Sequence, residues 1–458
     1  MRFVMKEKKY LNVFNKFGYG TGDFAANMVF GLISSFVMIY LTNTVGMNAA
    51  VVGTLIMFSK LLDGVTDIFF GSILDRTHTK MGKARPWMLG SYIGNAICLI
   101  LIFATPLGMG KTAQYVYFFI TYTLLNAIFY TANNISYSTL TALITKNGNE
   151  RVQLGTFRFI GSTIGNLVVS NFTLVLVERF GGGAVGWKVT AIIFAVIGLV
   201  INTFSVFSVK ELPQDALNDK VTDAVPEKVG FVETMKLLLS NKYFDMLTVL
   251  YTVFYMNMGI SMGGAVYFCI YVLGDGNAFG KFATMSSIAS VIGLIMVPFL
   301  IKKFHSIRTV SLGSFSLHVV VRIAFIIAAL TKNVPLMMIL FALSFLTCCS
   351  LGGTFNALVA EASEYTYRKS GKRIDGSMYS CTSFGMKVGG GLGSAVSGWL
   401  LAASGYDAVA LVQTASVNNM LTFMFAGVPL IAGLIVLFIY SKLNVEAVNA
   451  KAKKEANV

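Results

Sequence analysis

Apolar runs of about 20 residues or more recur from Phe17 to Leu443, each long enough to cross a hydrocarbon core about 30 Å thick. Such a core holds no water to satisfy backbone amides, so each run must close its own hydrogen bonds as a helix. The runs fall at residues 17–45, 49–75, 87–107, 113–145, 155–178, 185–209, 243–273, 279–304, 308–331, 334–366, 375–403 and 416–441. Twelve spans make this chain an all-α membrane protein. With 55% hydrophobic and 12% charged residues and a mean hydropathy of +0.70, the composition excludes an ordinary soluble domain.

The net charge of +15 would suit a nucleic-acid binder, but its placement excludes one. Lys and Arg collect in alternate loops: Arg2 to Lys16, Arg76 to Arg85, Lys146 and Arg151, Lys210 to Lys242, Lys302 to Arg308, Arg368 to Arg373, and from Lys442 onward. The opposite loops hold only Lys111, Arg179, Lys188, Lys281 and Lys332. The positive-inside rule then places both termini in the cytoplasm of a multi-pass cell-membrane protein, with some attraction to the anionic lipid bilayer. The polar, basic N-terminus lacks the pattern of a cleaved leader, so the first span is expected to be retained. Cys98, Cys269, Cys348, Cys349 and Cys381 lie in apolar spans without metal-ligand spacing and read as small core residues. No cofactor is expected.

The longest hydrophilic interruption, residues 210–242, carries Pro213, Pro226 and mixed charge. It divides the chain into a six-helix bundle at 1–209, a cytoplasmic linker at 210–242, a second six-helix bundle at 243–441 and a cytoplasmic tail at 442–458. Weak internal symmetry supports the division. The turn TKNGNERVQ leads to Arg158 in one half, and YRKSGKRIDGS leads to Lys387 in the other. Two related bundles around a midplane site are the pattern of a secondary transporter. A channel needs a pore loop or an oligomeric axis, and neither is legible. Gly385, Gly389, Gly390, Gly391 and Gly393 in the eleventh span serve either close helix packing or a hinge.

Few charges lie well inside the spans: Asp23, Lys60, Asp63, Asp67, Arg158, Arg322 and Lys387. Asp63 and Asp67 are one helical turn apart, so both carboxylates project from one face. A charge at the bilayer centre costs roughly 2.5–3.5 kcal/mol on insertion scales, so two together call for a compensating ligand. With oxygens from Thr66 or Thr131 they could cage Na⁺, and they form a metal site only if the coupling ion is Na⁺. Alternatively one of the two takes up a proton, since adjacent carboxylates do not both ionise cheaply. A structural salt bridge from Lys60 or Lys387 is the third reading. Asp23 follows GYGTG and is either a helix cap or an acceptor for sugar hydroxyls, with Arg158 and Lys387 as its partners. Snorkelling to an interface would explain Lys60 and Arg322. Among the aromatics, none of Tyr130, Tyr137, Tyr255 or Tyr379 is singled out.

GDFAANMVFGLISSFVMIYLTNTVG, KLLDGVTDIFFGSILDRTHTKMGKARPW and VAEASEYTYRKSGKRIDGSMYSCTSFGMKVGG together resemble the glycoside–pentoside–hexuronide:cation symporter family of the major facilitator superfamily. The D-x-x-x-D pair followed by D-R-x-x-x-K-x-G-K-x-R-P-W is a specific combination, and the likeness covers nearly the whole chain. It implies that Asp63 and Asp67 match cation-site carboxylates, with Thr131 as an extra ligand. It implies that Asp23 and Arg158 match sugar-binding positions, and that Lys387 lies between the two sites. Asp75, Arg76, Lys83 and Arg85 match a cytoplasmic loop that latches helices during alternating access. The melibiose-permease branch carries an aspartate at the position of Asn134 and a tryptophan at that of Ser138; other branches often carry Asn there. Thr66 replaces an asparagine near the cation site.

The expected function is symport of a glycoside, pentoside or hexuronide with Na⁺ or H⁺ by a monomer, with Asp23, Asn134, Arg158 and Lys387 on the substrate. The rival readings are a lysolipid or amphiphile transporter, a proton-coupled antiporter and a non-transporting sugar sensor. An enzyme is not expected, because His78, His305 and His318 are scattered and no serine, histidine or metal constellation is visible.

Overall fold

The computed structural model describes residues 9–213, 231–372, 374–410 and 412–456. Twelve long helices follow in chain order: α1 Val13–Thr44, α2 Ala49–Asp75, α3 Arg85–Phe103, α4 Lys111–Leu143, α5 Gly148–Arg179 and α6 Gly183–Ser208, then α7 Lys242–Val272, α8 Ala278–Phe304, α9 Ile307–Leu330, α10 Val334–Ser370, α11 Ser380–Ala403 and α12 415–442. Polar caps set many of the starts. Side-chain oxygens of Asn12, Asn48, Asn147, Asn241, Ser306, Asn333 and Thr414 accept first-turn N–H groups of α1, α2, α5, α7, α9, α10 and α12.

Eleven helices among the described residues are long and apolar enough to cross a membrane. The remaining expected span, 375–403, is present as the shorter α11, whose glycines, serines and Lys387 dilute its hydropathy. The chain forms two compact units, Met1–Thr222 and Asp223–Val458. Residues 214–230 of the expected linker lie outside the described residues, and Phe231–Leu239 form a short helix. The segment expected as a tail is also largely helical, over Val445–Ala456.

In each unit glycine allows helices to come into backbone contact. In the first unit, a Cβ on Gly161 of α5 would lie 2.2 Å from the Gly20 carbonyl oxygen of α1, and one on Gly165 would lie 2.8 Å from that of Phe24. In the second, a Cβ on Gly389 or Gly393 of α11 would lie 2.4 Å from the carbonyl oxygen of Thr252 or Met256 on α7. The glycine stripe of the eleventh span is therefore a packing surface.

Each unit also has a carboxylate clasp of its own. Glu211, just beyond α6, accepts the N–H groups of Lys83, Ala84 and Arg85 at 2.7, 2.9 and 3.0 Å, filling the open donors at the start of α3. Gly82 permits this approach: it has φ +109°, and a Cβ there would lie 2.3 Å from the Glu211 carboxyl carbon. In return Arg85 Nε donates to the Val206 carbonyl of α6 at 2.9 Å. In the second unit, Glu446 beyond α12 accepts from the Ser306 hydroxyl and from the N–H groups of Ile307 and Arg308 at the start of α9. Arg308 Nε donates to the Tyr440 carbonyl of α12 at 3.4 Å. The terminal helix is held further by Asn449, whose amide donates to the carbonyl and carboxylate oxygens of Glu361 on α10.

Glu150 at the start of α5 makes a third such contact. Its carboxylate accepts from the N–H groups of Tyr10 and Leu11 and from the Thr145 hydroxyl at 2.6 Å, with Lys16 Nζ at 3.7 Å. Burial works to raise its pKa, but these donors and Lys16 outweigh that and hold it below the usual carboxylate value.

Two predictions follow from this packing. Gly389→Val should drive α7 and α11 apart at a cost of about 1–3 kcal/mol, lowering the melting temperature of the solubilised protein. Gly90→Ala in α3, where a Cβ meets nothing within 4 Å, should leave it unchanged. Because the folded pKa of Glu150 is depressed, its stabilisation is present above the unfolded pKa and is lost as pH falls through the folded one. Wild type should therefore be more stable than Glu150→Gln near neutral pH, and the gap should close on acidification in thermal unfolding scans.

Candidate functional site

Asp63 and Asp67 stand on one face of α2, both partly exposed, and α4 supplies the group that faces them. The Thr131 hydroxyl donates a hydrogen bond to Asp63 Oδ1 and lies 3.2 Å from Asp67 Oδ1. Its third neighbour is the Asn126 carbonyl oxygen at 3.2 Å. That carbonyl is within reach because α4 winds as a π-helical turn over Leu124–Tyr130, immediately before Thr131. Single π turns shift helix register and leave carbonyls without their usual i+4 partners. Two carboxylate oxygens and a hydroxyl thus converge, all hard oxygen donors suited to Na⁺, with the Asn126 carbonyl holding Thr131 in place, while the carboxylates alone can take a proton. Among the described residues no three His, Cys, Asp or Glu gather into a metal site, so a cation here would need the neutral oxygens.

Thr66 belongs to the same turn of α2, but its hydroxyl donates back to the Asp63 main-chain carbonyl at 3.1 Å. It steadies the helix that carries the pair. Lys387 lies on α11 in the second unit, partly exposed.

Asp23 lies well inside α1, whose cap is Asn12, so the helix-cap reading is excluded. It pairs with Arg158 of α5: Nε donates to Oδ2 at 2.7 Å and Nη2 to Oδ1 at 3.4 Å. Both side chains keep some exposure, 24% for Arg158 and 17% for Asp23, so the pair can still reach a ligand. The guanidinium rests over the Tyr137 ring, 4.3 Å from its centroid. Tyr137 is fixed in turn, because its hydroxyl donates to the Tyr19 carbonyl while the Tyr19 hydroxyl donates to the Tyr137 carbonyl. The short separation of α1 and α5 at Gly20 and Gly161 brings Asp23 and Arg158 within reach of each other.

α4 connects the two clusters. Thr131 meets the aspartate pair, Tyr137 lies under Arg158, and Asn134 stands between them at i+3 from each, exposed. Tyr130 stacks on Phe30 of α1, with centroids 6.0 Å apart. Sequence reasoning missed the Asn126 carbonyl and passed over Tyr137. The π turn leaves no residue signature, and Tyr137 is one of many membrane aromatics.

Of the expected latch residues, Lys83 and Arg85 are engaged by Glu211 and α6, Arg76 is exposed at the end of α2, and the side chain of Asp75 lies outside the described residues. Arg322 does not snorkel. It is only 5% exposed, in the middle of α9. The five cysteines are free, and three of them, Cys98, Cys269 and Cys381, are buried.

The chain is 30% identical over 420 residues to the isoprimeverose transporter of Lactiplantibacillus pentosus, covering 91% of this chain and 85% of that one. It is 28% identical to a putative glycoside/cation symporter of Escherichia coli (strain K12), covering 97% and 95%. A bacterial homologue of the human lysosomal transporter Spinster, solved in an inward-facing and unoccupied conformation, superimposes with a TM-score of 0.70 at 12% identity, over 96% of this chain and 98% of that one, which shows the fold. Residues 18–447 match the family model described as MFS/sugar transport protein. The chain is thus a multi-pass membrane protein with the major facilitator fold, and it belongs to the MFS/sugar transport protein family.

Proposed function

We propose that the protein takes up a glycoside, pentoside or hexuronide together with Na⁺ or H⁺ by alternating access. It would work as a monomer in the cell membrane, with both termini in the cytoplasm. The observation that carries this reading is the convergence of Asp63, Asp67, Thr131 and the Asn126 carbonyl in a membrane span, on the same helix that supports Arg158 through Tyr137. The relatives named as an isoprimeverose transporter and a glycoside/cation symporter support the substrate class.

The hydroxyl of Thr131 is the pivot of the cation step. While it donates to Asp63, its proton occupies the space between the carboxylates. Turning that proton to the Asn126 carbonyl, already 3.2 Å away, frees the oxygen lone pairs for an incoming Na⁺. A proton would instead bridge the carboxylates directly. On the substrate side, Arg158 has N–H groups left beyond the two spent on Asp23, and Asp23 Oδ1, held at only 3.4 Å, can accept a sugar hydroxyl. Asn134 leaves the pocket one carboxylate poorer than the melibiose-permease pattern, which favours an anionic or pentose-type glycoside. Lys387 would balance charge between the sites as the bundles rock. Asp75, Arg76, Lys83 and Arg85 would hold the cytoplasmic ends during that motion.

Coupling requires each ligand to favour the state that binds the other. For a neutral sugar, one cation moving down 100 mV supplies about 2.3 kcal/mol, roughly 50-fold accumulation. A uronide anion travelling with one cation moves no net charge.

In proteoliposomes, Asp63→Cys or Asp67→Cys should abolish cation-driven accumulation while substrate binding and counterflow are at least partly kept. Arg158→Lys should instead weaken substrate binding itself by roughly 10-fold or more, since the two-point geometry at Asp23 is lost. Accumulation at the wild-type level in either aspartate variant would place the cation elsewhere.

A further inference from the structure

A second buried cation is left unused by the cation and substrate sites. Arg322 is 5% exposed, and its Nε and Nη1 have no hydrogen-bond partner among the described residues. The guanidinium lies over the rings of Phe325 on α9 and Phe341 on α10, 5.5 Å from each centroid. One turn away His318 is also buried, with Nδ1 2.9 Å from the Ser344 carbonyl oxygen and 3.3 Å from the Thr347 hydroxyl. The carbonyl can only accept, so Nδ1 carries the proton and the ring supplies no negative charge.

Nor is a carboxylate available in the surrounding helices. α9 packs on α8, α10 and α12, and none of α8, α9, α12 or α10 as far as Ala360 contains an Asp or Glu. A desolvated charge without a counter-charge is among the costliest arrangements a protein core holds. Ring faces offset only part of that cost.

The fold itself does not require an arginine there. The matching clasps pair Arg85 with Arg308, and that register aligns Asn95 with His318 and Leu99 with Arg322. Leu99 is fully buried, so the same place in the first unit is filled by plain hydrocarbon.

We propose that Arg322 is the anchor of a site for a small inorganic anion of the halide class, enclosed by α9 and α10. Nε–H and Nη1–H leave the guanidinium on opposite sides, so a single anion takes one of them, and the flanking aromatic residues supply its apolar walls. A halide suits such walls: it is monatomic, weakly hydrated, and satisfied by one N–H donor beside the guanidinium charge. A sugar acid would have to pass between packed helices to reach the same place.

The test is thermal unfolding of the full-length protein in detergent, titrating NaCl or NaBr against sodium gluconate at constant Na⁺ and ionic strength, with a parallel sodium glucuronate series. The expected result is a saturable rise in melting temperature of about 2 °C or more with either halide, and none with glucuronate. Arg322→Leu should remove the halide response and melt in gluconate no lower than wild type, as Leu99 suggests. Arg322→Lys should shift the half-saturating halide concentration upward several-fold. If Arg322→Leu does not fold, the wild-type and Arg322→Lys titrations decide alone. A wild-type protein indifferent to halide, a halide response kept unchanged by either variant, or stabilisation by glucuronate in place of halide would each overturn the proposal.

Discussion

Two carboxylates one turn apart in an apolar helix are the constraint on which the rest of this molecule turns. On α2 itself Lys60 attracts Asp63 from one turn away, while Thr66 is committed to the helix backbone. Further relief comes from α4, where a π turn brings the Thr131 hydroxyl against both carboxylates and leaves the Asn126 carbonyl beside it. On the proposed function, a site built this way would be costly when empty and stabilised when a cation enters, and that difference would let the cation alter the balance between conformations. The same helix then bears Tyr137 beneath Arg158, so a change at one cluster has a rigid element through which to reach the other.

The scaffold around this site is made twice. Glycines let α1 meet α5 in the first unit and α7 meet α11 in the second. A glutamate beyond α6 closes on α3, and another beyond α12 closes on α9. Because packing is repeated so closely, departures from it stand out as chemistry. The paired aspartates and the Asp23–Arg158 pair belong to the first unit, while Arg322 and Lys387 belong to the second.

Hydropathy made most of the architecture legible before any coordinates, because lipid forces an apolar run to be a helix and leaves little else to decide. The signal is weakest at α11, which the run at 375–403 still located, because its small residues serve contact with α7. The terminal helix at Val445–Ala456 was hidden, since its docking rests on Glu446 and Asn449 reaching distant helices. At the site, Asp63, Asp67, Asp23 and Arg158 could be named because charge in a membrane is rare, and Thr131 as a neutral oxygen that the family resemblance implies. Asn126 could not, since a backbone carbonyl re-aimed by a π turn has no side-chain signature. Tyr137 and Glu211 were obscured for a different reason: an aromatic in a span or an acid in a loop is ordinary until its partner is seen.

The central claim is that one cation and one substrate share a coupling free energy through α4. Isothermal titration of the purified protein can measure substrate affinity over a range of Na⁺ concentrations at fixed pH, then over a range of pH without Na⁺, and cation affinity with and without substrate. The account predicts that one of the two cations raises substrate affinity, that substrate raises affinity for that cation by the same factor, and that Thr131→Val shrinks both factors together. Substrate affinity indifferent to both Na⁺ and pH, or a Thr131→Val protein with undiminished coupling, would contradict it.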